Sequence, residues 1–457
     1  MGPRREPASP APRTLLYTSL VTATAALGGL LFGFDTGVIS GALLFIVPEF
    51  HLGAATQGFV VGVVTLGALV GALVGGAAAD SLGRRPTNIA GGATFVVGSL
   101  LSAAAPGVAT LVAGRFVIGV AIGLSSVAAP LYIAELASAN RRGTLVSLFQ
   151  LAVTVGILAS YVVDAALAHA GAWRVMLGVA VIPGAALVAG MLPMPESPRW
   201  LMKRGRRDEA GVSLARVRAA DAVESELREI AHDIARDQPA RWRDLAALDL
   251  RPALLVGVGL AVFQQITGIN TIIYYAPQIF EAAGFGSATT ALAATIGIGL
   301  VNVAATIVAI ALVDRAGRRP LLVAGLIGMV ASLFALAAAS RMGAATGWLG
   351  VTTVACVGIY IVCFAFSLGP ITWIMIAEIF PNRIRARAAS LSTAANWLAN
   401  FVVSLTFPIL RDSLGSSLTF ALYAVFGIVA IGFVLRRVPE TRGKSLEQIA
   451  AGWRAAA

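Results

Sequence analysis

Residues 80–86 read DSLGRRP and residues 314–320 read DRAGRRP. The same heptapeptide pattern occurs twice, each time leaving one long apolar run and entering the next. Two further pairs keep the order: AELASANRR at 134–142 with AEIFPNRIR at 377–385, and PESPRW at 195–200 with PETRGK at 439–444. Members of each pair lie about 240 residues apart. Order and spacing together point to an internal duplication. Two copies of six spans fit it, because an even number of crossings returns the chain to the same side. Parallel six-span halves related by an axis along the membrane normal are a transporter arrangement, with substrate held near the midplane between them.

Composition agrees with a membrane chain. Of 457 residues, 58% are hydrophobic and 12% charged, and the mean hydropathy is +0.83, far more apolar than a soluble protein. Apolar runs near the ~20 residues needed to cross ~30 Å of hydrocarbon recur throughout, whereas the ~10-residue alternation of a membrane barrel is missing. The expected fold is an all-α membrane protein: twelve transmembrane helices in two pseudo-symmetric six-helix halves. The spans are expected to begin near Leu15, Thr56, Thr87, Val108, Leu145, Trp173, Pro252, Thr289, Leu321, Gly347, Ala388 and Leu418. The seventh and tenth read as long or broken. The division is a tail at 1–14, a first bundle at 15–192, a linker with surface helices at 193–251, a second bundle at 252–436 and a tail at 437–457. Within the linker, Glu224, Arg228 and Glu229 suit either an amphipathic surface helix or a solvated strand of chain.

Net charge is +11, but its placement argues against a nucleic-acid partner. Arginines gather in alternate loops, at Arg84 and Arg85, at Arg141 and Arg142, through 199–251, at Arg315, Arg318 and Arg319, and at Arg383, Arg385 and Arg387. By the positive-inside rule both termini are expected in the cytoplasm, with an uncleaved first span behind the basic MGPRREPASPAPRT. Cys356 and Cys363 both fall in the tenth span and imply neither a disulfide framework nor a metal site. His51, His169 and His232 fall in loops or near span ends, with no metal-ligand cluster, phosphate loop or nucleophile with a placed base. An enzyme is not expected, nor a cofactor; the partners are the lipid bilayer and a small solute, bound by a monomer.

The apolar run Leu15–Val47 contains GGLLFGFDTGVIS at 28–40, with no Lys, Arg, Glu or His to neutralise Asp35. Arg115 is the only charged residue between Ala103 and Ala134. At 1.5 Å per residue it enters ~10 Å from one end of the fourth span, against ~15 Å for Asp35 in the first, so the two are expected to pair. An unpaired charge there costs something like 2.5–3.5 kcal/mol. Burial favours a neutral acid and a guanidinium the carboxylate, which makes the proton on Asp35 conditional on conformation; a static pair fixing helix packing is the alternative.

Amides both donate and accept hydrogen bonds, and flat apolar faces suit the C–H side of a sugar ring. Gln150, Gln264, Gln265, Asn270, Asn302 and Asn396 supply the amides, and Phe32, Trp373 and Trp397 the faces. A lone intramembrane amide is more often helix-to-helix glue, but QQITGIN at 264–270 gathers three around Gly268. Gln264 and Gln265 cannot face one direction on an ideal helix, so unwinding or a wide groove is implied. Gly369 and Pro370 interrupt the tenth span and suggest a hinge. Tyr274 and Tyr275 either close the seventh span over the substrate or are ordinary interfacial aromatics.

These motifs resemble the sugar porter branch of the major facilitator superfamily over essentially the whole chain. They are GFD, D-x-x-G-R-R twice, GRFVIG at 114–119, PESPRW, QQITGIN followed by YYAP, GPITWIMIAEIFP at 369–381, NW at 396–397 and PETRGKSLEQI. The resemblance implies inward, proton-coupled transport of a monosaccharide across a bacterial plasma membrane by alternating access. The proton is the coupling ion, with Asp35 as coupling site and Arg115 as its modulator. It maps sugar contacts onto the amides above, and Asn396 before Trp397 favours D-glucose, with galactose, xylose and arabinose open. It also implies that Arg84, Arg85, Glu135, Arg142, Glu196 and Arg199, with Arg318, Arg319, Glu378, Arg385 and Glu440, tie the halves together in one state and part in the other. A facilitative uniporter, a pentose or polyol transporter on the same fold, a drug exporter and a sugar sensor are the competing readings.

Overall fold

The computed structural model describes residues 12–137, 142–236, 245, 250–341, 348–380, 384–442 and 448. Side chains at 12–16, 142–144, 146, 313–314 and 386 are outside the description. The first half comprises α1 (Pro12–Glu49), α2 (Ala54–Ser81), α3 (Arg84–Ala103), α4 (Val108–Leu136), α5 (Arg142–Leu167) and the pair α6 (Trp173–Val179) and α7 (Val181–Met191). The linker folds as α8 (Pro198–Lys203), α9 (Arg207–Val217) and α10 (Ala220–Arg236). The second half comprises α11 (Arg251–Ile266), α12 (Ile269–Ala282), α13 (Ala288–Ala316), α14 (Arg318–Arg341), α15 (Trp348–Ala365), α16 (Leu368–Glu378) and α17 (Arg385–Arg437).

Ten of the described helical stretches are long and apolar enough to cross a bilayer. One, α17, runs 53 residues, and Gly415 at φ 80° folds it into two crossings. The 20-residue α3 crosses too; Arg84 and Arg85 in its first turn make it the least apolar of the set. Among the described residues twelve crossings result, in two groups of six.

Small residues set how closely the helices approach, as expected where lipid gives apolar side chains no drive to associate. Gly29, Gly33, Gly37 and Gly41 recur every fourth residue on the face of α1 against α5, where a Cβ at Gly33 would lie 1.8 Å from the Val153 carbonyl oxygen. The expected interruptions are present but one moves. Thr267 and Gly268 (φ 97°) separate α11 from α12, as QQITGIN suggests. In the tenth span the break falls at Ser367 (φ −122°, ψ −105°), so Gly369 and Pro370 open the second half-helix. Proline in a first helical turn forfeits no hydrogen bond, which removes the reason to place the kink there. The linker helix α10 forms, and Trp200, Leu201, Ala210, Leu214 and Leu227 give the linker its own small apolar core.

Candidate functional site

Asp35 and Arg115 meet as expected. Arg115 NH1 lies 3.3 Å from Asp35 Oδ1 and NH2 3.5 Å from Oδ2, both residues buried. Arg115 Nε also donates to the Val60 carbonyl at 2.8 Å, so α2 fixes the guanidinium while α1 brings the acid. All three helices belong to the first half. The pair is therefore held within one bundle, and rigid rocking of the halves leaves it together. What the second half brings is Tyr274 of α12, within electrostatic reach of both charges.

Four of the expected amides form one network in the second half. Asn270 Nδ2 donates to Gln265 Oε1 at 2.6 Å. Gln265 Nε2 donates to Asn396 Oδ1 at 3.2 Å and to Gln264 Oε1 at 3.3 Å. Asn396 Nδ2 donates to Gln264 Oε1 at 2.7 Å and to the Ala261 carbonyl at 2.9 Å. Gln264 Nε2 ends the chain on the Leu368 carbonyl at 2.8 Å, in the first turn of α16. The interruption at Gly268 lets Asn270 fold back onto Gln265, five residues earlier. Two buried polar atoms nearby in sequence, Trp397 Nε1 and Thr372 Oγ1, have no partner among the described residues. Phe32 of the first half stacks obliquely on Trp397 of the second, centroids 5.5 Å apart. Gln150, Asn302 and Trp373 do not join the amide network; Gln150 is half-buried, Asn302 buried and Trp373 exposed.

The ends of the bundles differ. At the arginine-rich face each half carries the same device. In the first, Arg84 grips Glu135 with two bonds of 2.9 and 3.0 Å, Glu196 accepts the backbone N–H groups of Arg84 and Arg85, and Ser197 donates to Glu135. In the second, Arg318 binds Glu378 at 3.0 Å, Glu440 accepts the N–H groups of Arg318 and Arg319, and Thr441 donates to Glu378 at 2.6 Å. Glu196 and Glu440 thus sit on the positive ends of α3 and α14. Arg85 and Arg319 reach the C-terminal carbonyls of their sixth spans, at Met191 and Leu435. Arg199 pairs with Asp233 of α10 at 3.8 Å, Arg385 donates to the Phe380 carbonyl at 3.0 Å, and the Arg142 side chain lies outside the described residues. The bonds named here lie within one half or its adjoining linker.

The opposite face is sealed between halves. Gln57 of α2 donates to Gln278 of α12 at 2.9 Å, and Arg411 of α17 donates to the same oxygen at 3.0 Å. Tyr161 of α5 donates to the Ile273 carbonyl at 3.2 Å. Tyr275 is buried, bonded to the Ser404 carbonyl at 3.0 Å, and Tyr274 accepts from Asn400 at 3.5 Å. The latch of Gln57, Gln278 and Arg411 was not expected, since three polar residues at separate helix ends carry no local signal. Asp164 was missed too, although it is the only acid in α5 and the argument that singles out Asp35 applies equally to it.

The family described as "Sugar (and other) transporter" matches residues 21–453. The D-xylose transporter of Levilactobacillus brevis is 43% identical over 96% of this chain and 96% of its own. The galactose-proton symporter of Escherichia coli (strain K12) is 42% identical over 94% and 93%. The partially occluded inward open conformation of the xylose transporter XylE from E. coli superposes with a TM-score of 0.83, at 33% identity, over 94% of this chain and all of that one. The chain belongs to the sugar porter family of the major facilitator superfamily and is a transporter, not an enzyme.

Proposed function

We propose that the protein is a proton-coupled symporter that brings a monosaccharide into a bacterial cell by alternating access. The observation that carries this reading is the buried Asp35–Arg115 pair, an ionisable couple in the membrane interior that a passive facilitator has no use for. The amide network is the matching sugar site. Its members satisfy one another when empty, and a sugar hydroxyl, both donor and acceptor, can replace the bond between Asn270 and Gln265 without leaving a bare polar group. Because Asp35 and Arg115 ride in one half, their access to protons is set by α12, whose Tyr274 covers them while the seal is shut.

With the basic face in the cytoplasm, as the positive-inside rule places it, the sealed face is outside and the state is inward-facing, in keeping with the inward open relative it superposes on. Coupling one proton is worth ~2.3 kcal/mol from ~100 mV and ~1.4 kcal/mol per pH unit, enough for several-hundredfold accumulation. The substrate reading broadens from D-glucose to pentoses and hexoses together. Relatives of nearly equal identity are a D-xylose transporter and a galactose-proton symporter.

The test is external pH in lightly buffered proteoliposomes, with radiolabelled D-xylose, D-galactose and D-glucose added in turn. Alkalinisation accompanying uptake of one of them is the expected result. Uptake without a pH change would make the protein a uniporter and Asp35 a structural partner of Arg115.

A further inference from the structure

Asp164 on α5 is fully buried and has no place in the mechanism above. Its Oδ2 accepts the backbone N–H of Gly41 on α1 at 3.2 Å, and its Oδ1 has no partner among the described residues. The fit is close: a Cβ at Gly41 would lie 2.4 Å from Oδ2, so α1 presents glycine where α5 presents the acid. No ion pair reaches it among the described residues. The titratable groups around it are few. Tyr161 lies one turn earlier on α5, within electrostatic reach of Asp164, and Tyr274 of α12 stands beyond it, against Tyr161. On α1, Asp35 precedes Gly41 by six residues, about 9 Å of helix. The packed helix α13 has no titratable residue before Asp314, and His169, after α5, is exposed.

A carboxylate with one neutral donor, one bare oxygen and no cation is a costly state inside a membrane, and the same group with a proton is not. Position gives this a consequence. Tyr161 and Leu158, on the same stretch of α5, touch Ile273 of α12 and Gly299 of α13 in the other half. Asp164 therefore lies beside the seam that the outer seal closes, and opening the seam brings water to it.

We propose that Asp164 is a second proton-binding site, which holds a proton while the outer face is sealed and releases it to external water when the seam opens. On opening, the carboxyl O–H bond breaks and the proton passes to water, leaving a hydrated carboxylate; closing reverses the step. This proton exchanges with one side only, so it does not enter the transport stoichiometry. It makes sealing easier when the outside is acid, which is when a symporter has a proton gradient to use. The inference rests on the alternating-access reading, but its test needs no sugar and no transport, so the two can fail separately.

Spin labels at Gly53→Cys and Gly286→Cys, where an added side chain meets nothing within 4 Å, report the span of the outer face. The background carries Cys356→Ala and Cys363→Ala to leave the labels as the only thiols, and Asp35→Asn to silence the other acid. Between about pH 5 and pH 9 the separated population should rise with pH, by up to about tenfold in the open-to-sealed ratio per pH unit for one linked proton. Asp164→Asn, neutral and of the same shape, should abolish that dependence; Asp164→Ser, also uncharged, serves if the asparagine variant does not fold. A pH response that survives the Asp164 substitution, or no response before it, overturns the proposal.

Discussion

The two halves are near-copies at one face and unlike in their interiors. At the arginine-rich face, Arg84, Glu135, Glu196 and Ser197 find counterparts in Arg318, Glu378, Glu440 and Thr441, with the same backbone N–H and hydroxyl donors on the same carboxylates. In the interior, the first half buries Asp35, Arg115 and Asp164. The second buries a chain of amides, and its charges lie near helix ends. A duplicated chain keeps the same fastening where both halves need the same mechanics, and diverges where the chemistry differs. On the proposed function, one half handles the proton and the other the sugar.

That division is broken or sharpened most strongly by Asp35→Asn. Concentrative uptake into energised vesicles should fall from several-hundredfold to about unity, while counterflow exchange of labelled sugar continues. A variant that still concentrates sugar would remove the proton role from the first half. The converse change is Gln265→Ala. It takes one member from a buried network and leaves Asn270 Nδ2 and Asn396 Oδ1 without the Gln265 partner, a loss of roughly 1–3 kcal/mol, or about a five- to hundredfold rise in apparent KM. Exchange and concentrative uptake should suffer together, because both need the sugar. An effect on uptake alone would mean the amides do not serve binding.

The legible parts were those where a residue type is costly in its setting. A carboxylate among apolar neighbours, an arginine alone in a span and a heptapeptide repeated at constant offset each demand an explanation locally, and Asp35, Arg115 and the two GRR turns came from them. Gln264, Gln265 and Asn270 were legible because three amides crowd seven residues. The Gln57, Gln278 and Arg411 latch was not, because polar residues at helix ends are ordinary and only the packing of α2 on α12 and α17 brings them together. The shared half of Asp35 and Arg115 was legible from the division at 15–192, but the Val60 carbonyl that fixes the guanidinium was not, since only the packing of α2 on α4 brings it there. Pro370 misled for a positional reason: proline breaks a helix interior but opens a helix without cost.

The matched pair of capping carboxylates gives a smaller but more discriminating comparison. Burial pushes Glu196 above the ordinary carboxylate value, against the N–H groups of Ser197, Arg85 and Arg84. Glu440 is held below it, because the N–H groups of Arg442, Arg318, Arg319 and Thr441 outweigh its lesser burial. For Glu440, stability is therefore present above the unfolded-chain value near 4.5 and lost as pH falls through its lowered folded value. For Glu196 the sign reverses: its contribution is full below the unfolded value and lost as pH rises through the raised folded one. Glu440→Gln should thus cost roughly 1–2 kcal/mol at neutral pH, with the gap to the parent protein narrowing in acid. Glu196→Gln should cost little or stabilise. Thermal unfolding in detergent at neutral and acid pH measures both; equal losses would mean the two ends are energetically as alike as they are geometrically.

The smallest expected effect belongs to the face where the halves meet. Gln57→Ala removes the N–H group that bridges α2 to Gln278, yet Arg411 still donates to the same oxygen from within the second half. No acceptor is stranded, so the loss is that of one neutral hydrogen bond, about 0.5–1.5 kcal/mol, or a two- to tenfold shift toward the open outer face. Spin labels at Gly53 and Gly286 would read it as a larger separated population at any one pH. Gln278→Ala should do more, since it leaves both Gln57 and Arg411 without their common acceptor. If the two variants shift the population equally, the bond to Arg411 only orients Gln278. If neither shifts it, closure is held by the small-residue contact of Gly58 with Leu405 and by Tyr161 on Ile273, and the polar latch follows the movement rather than holding it.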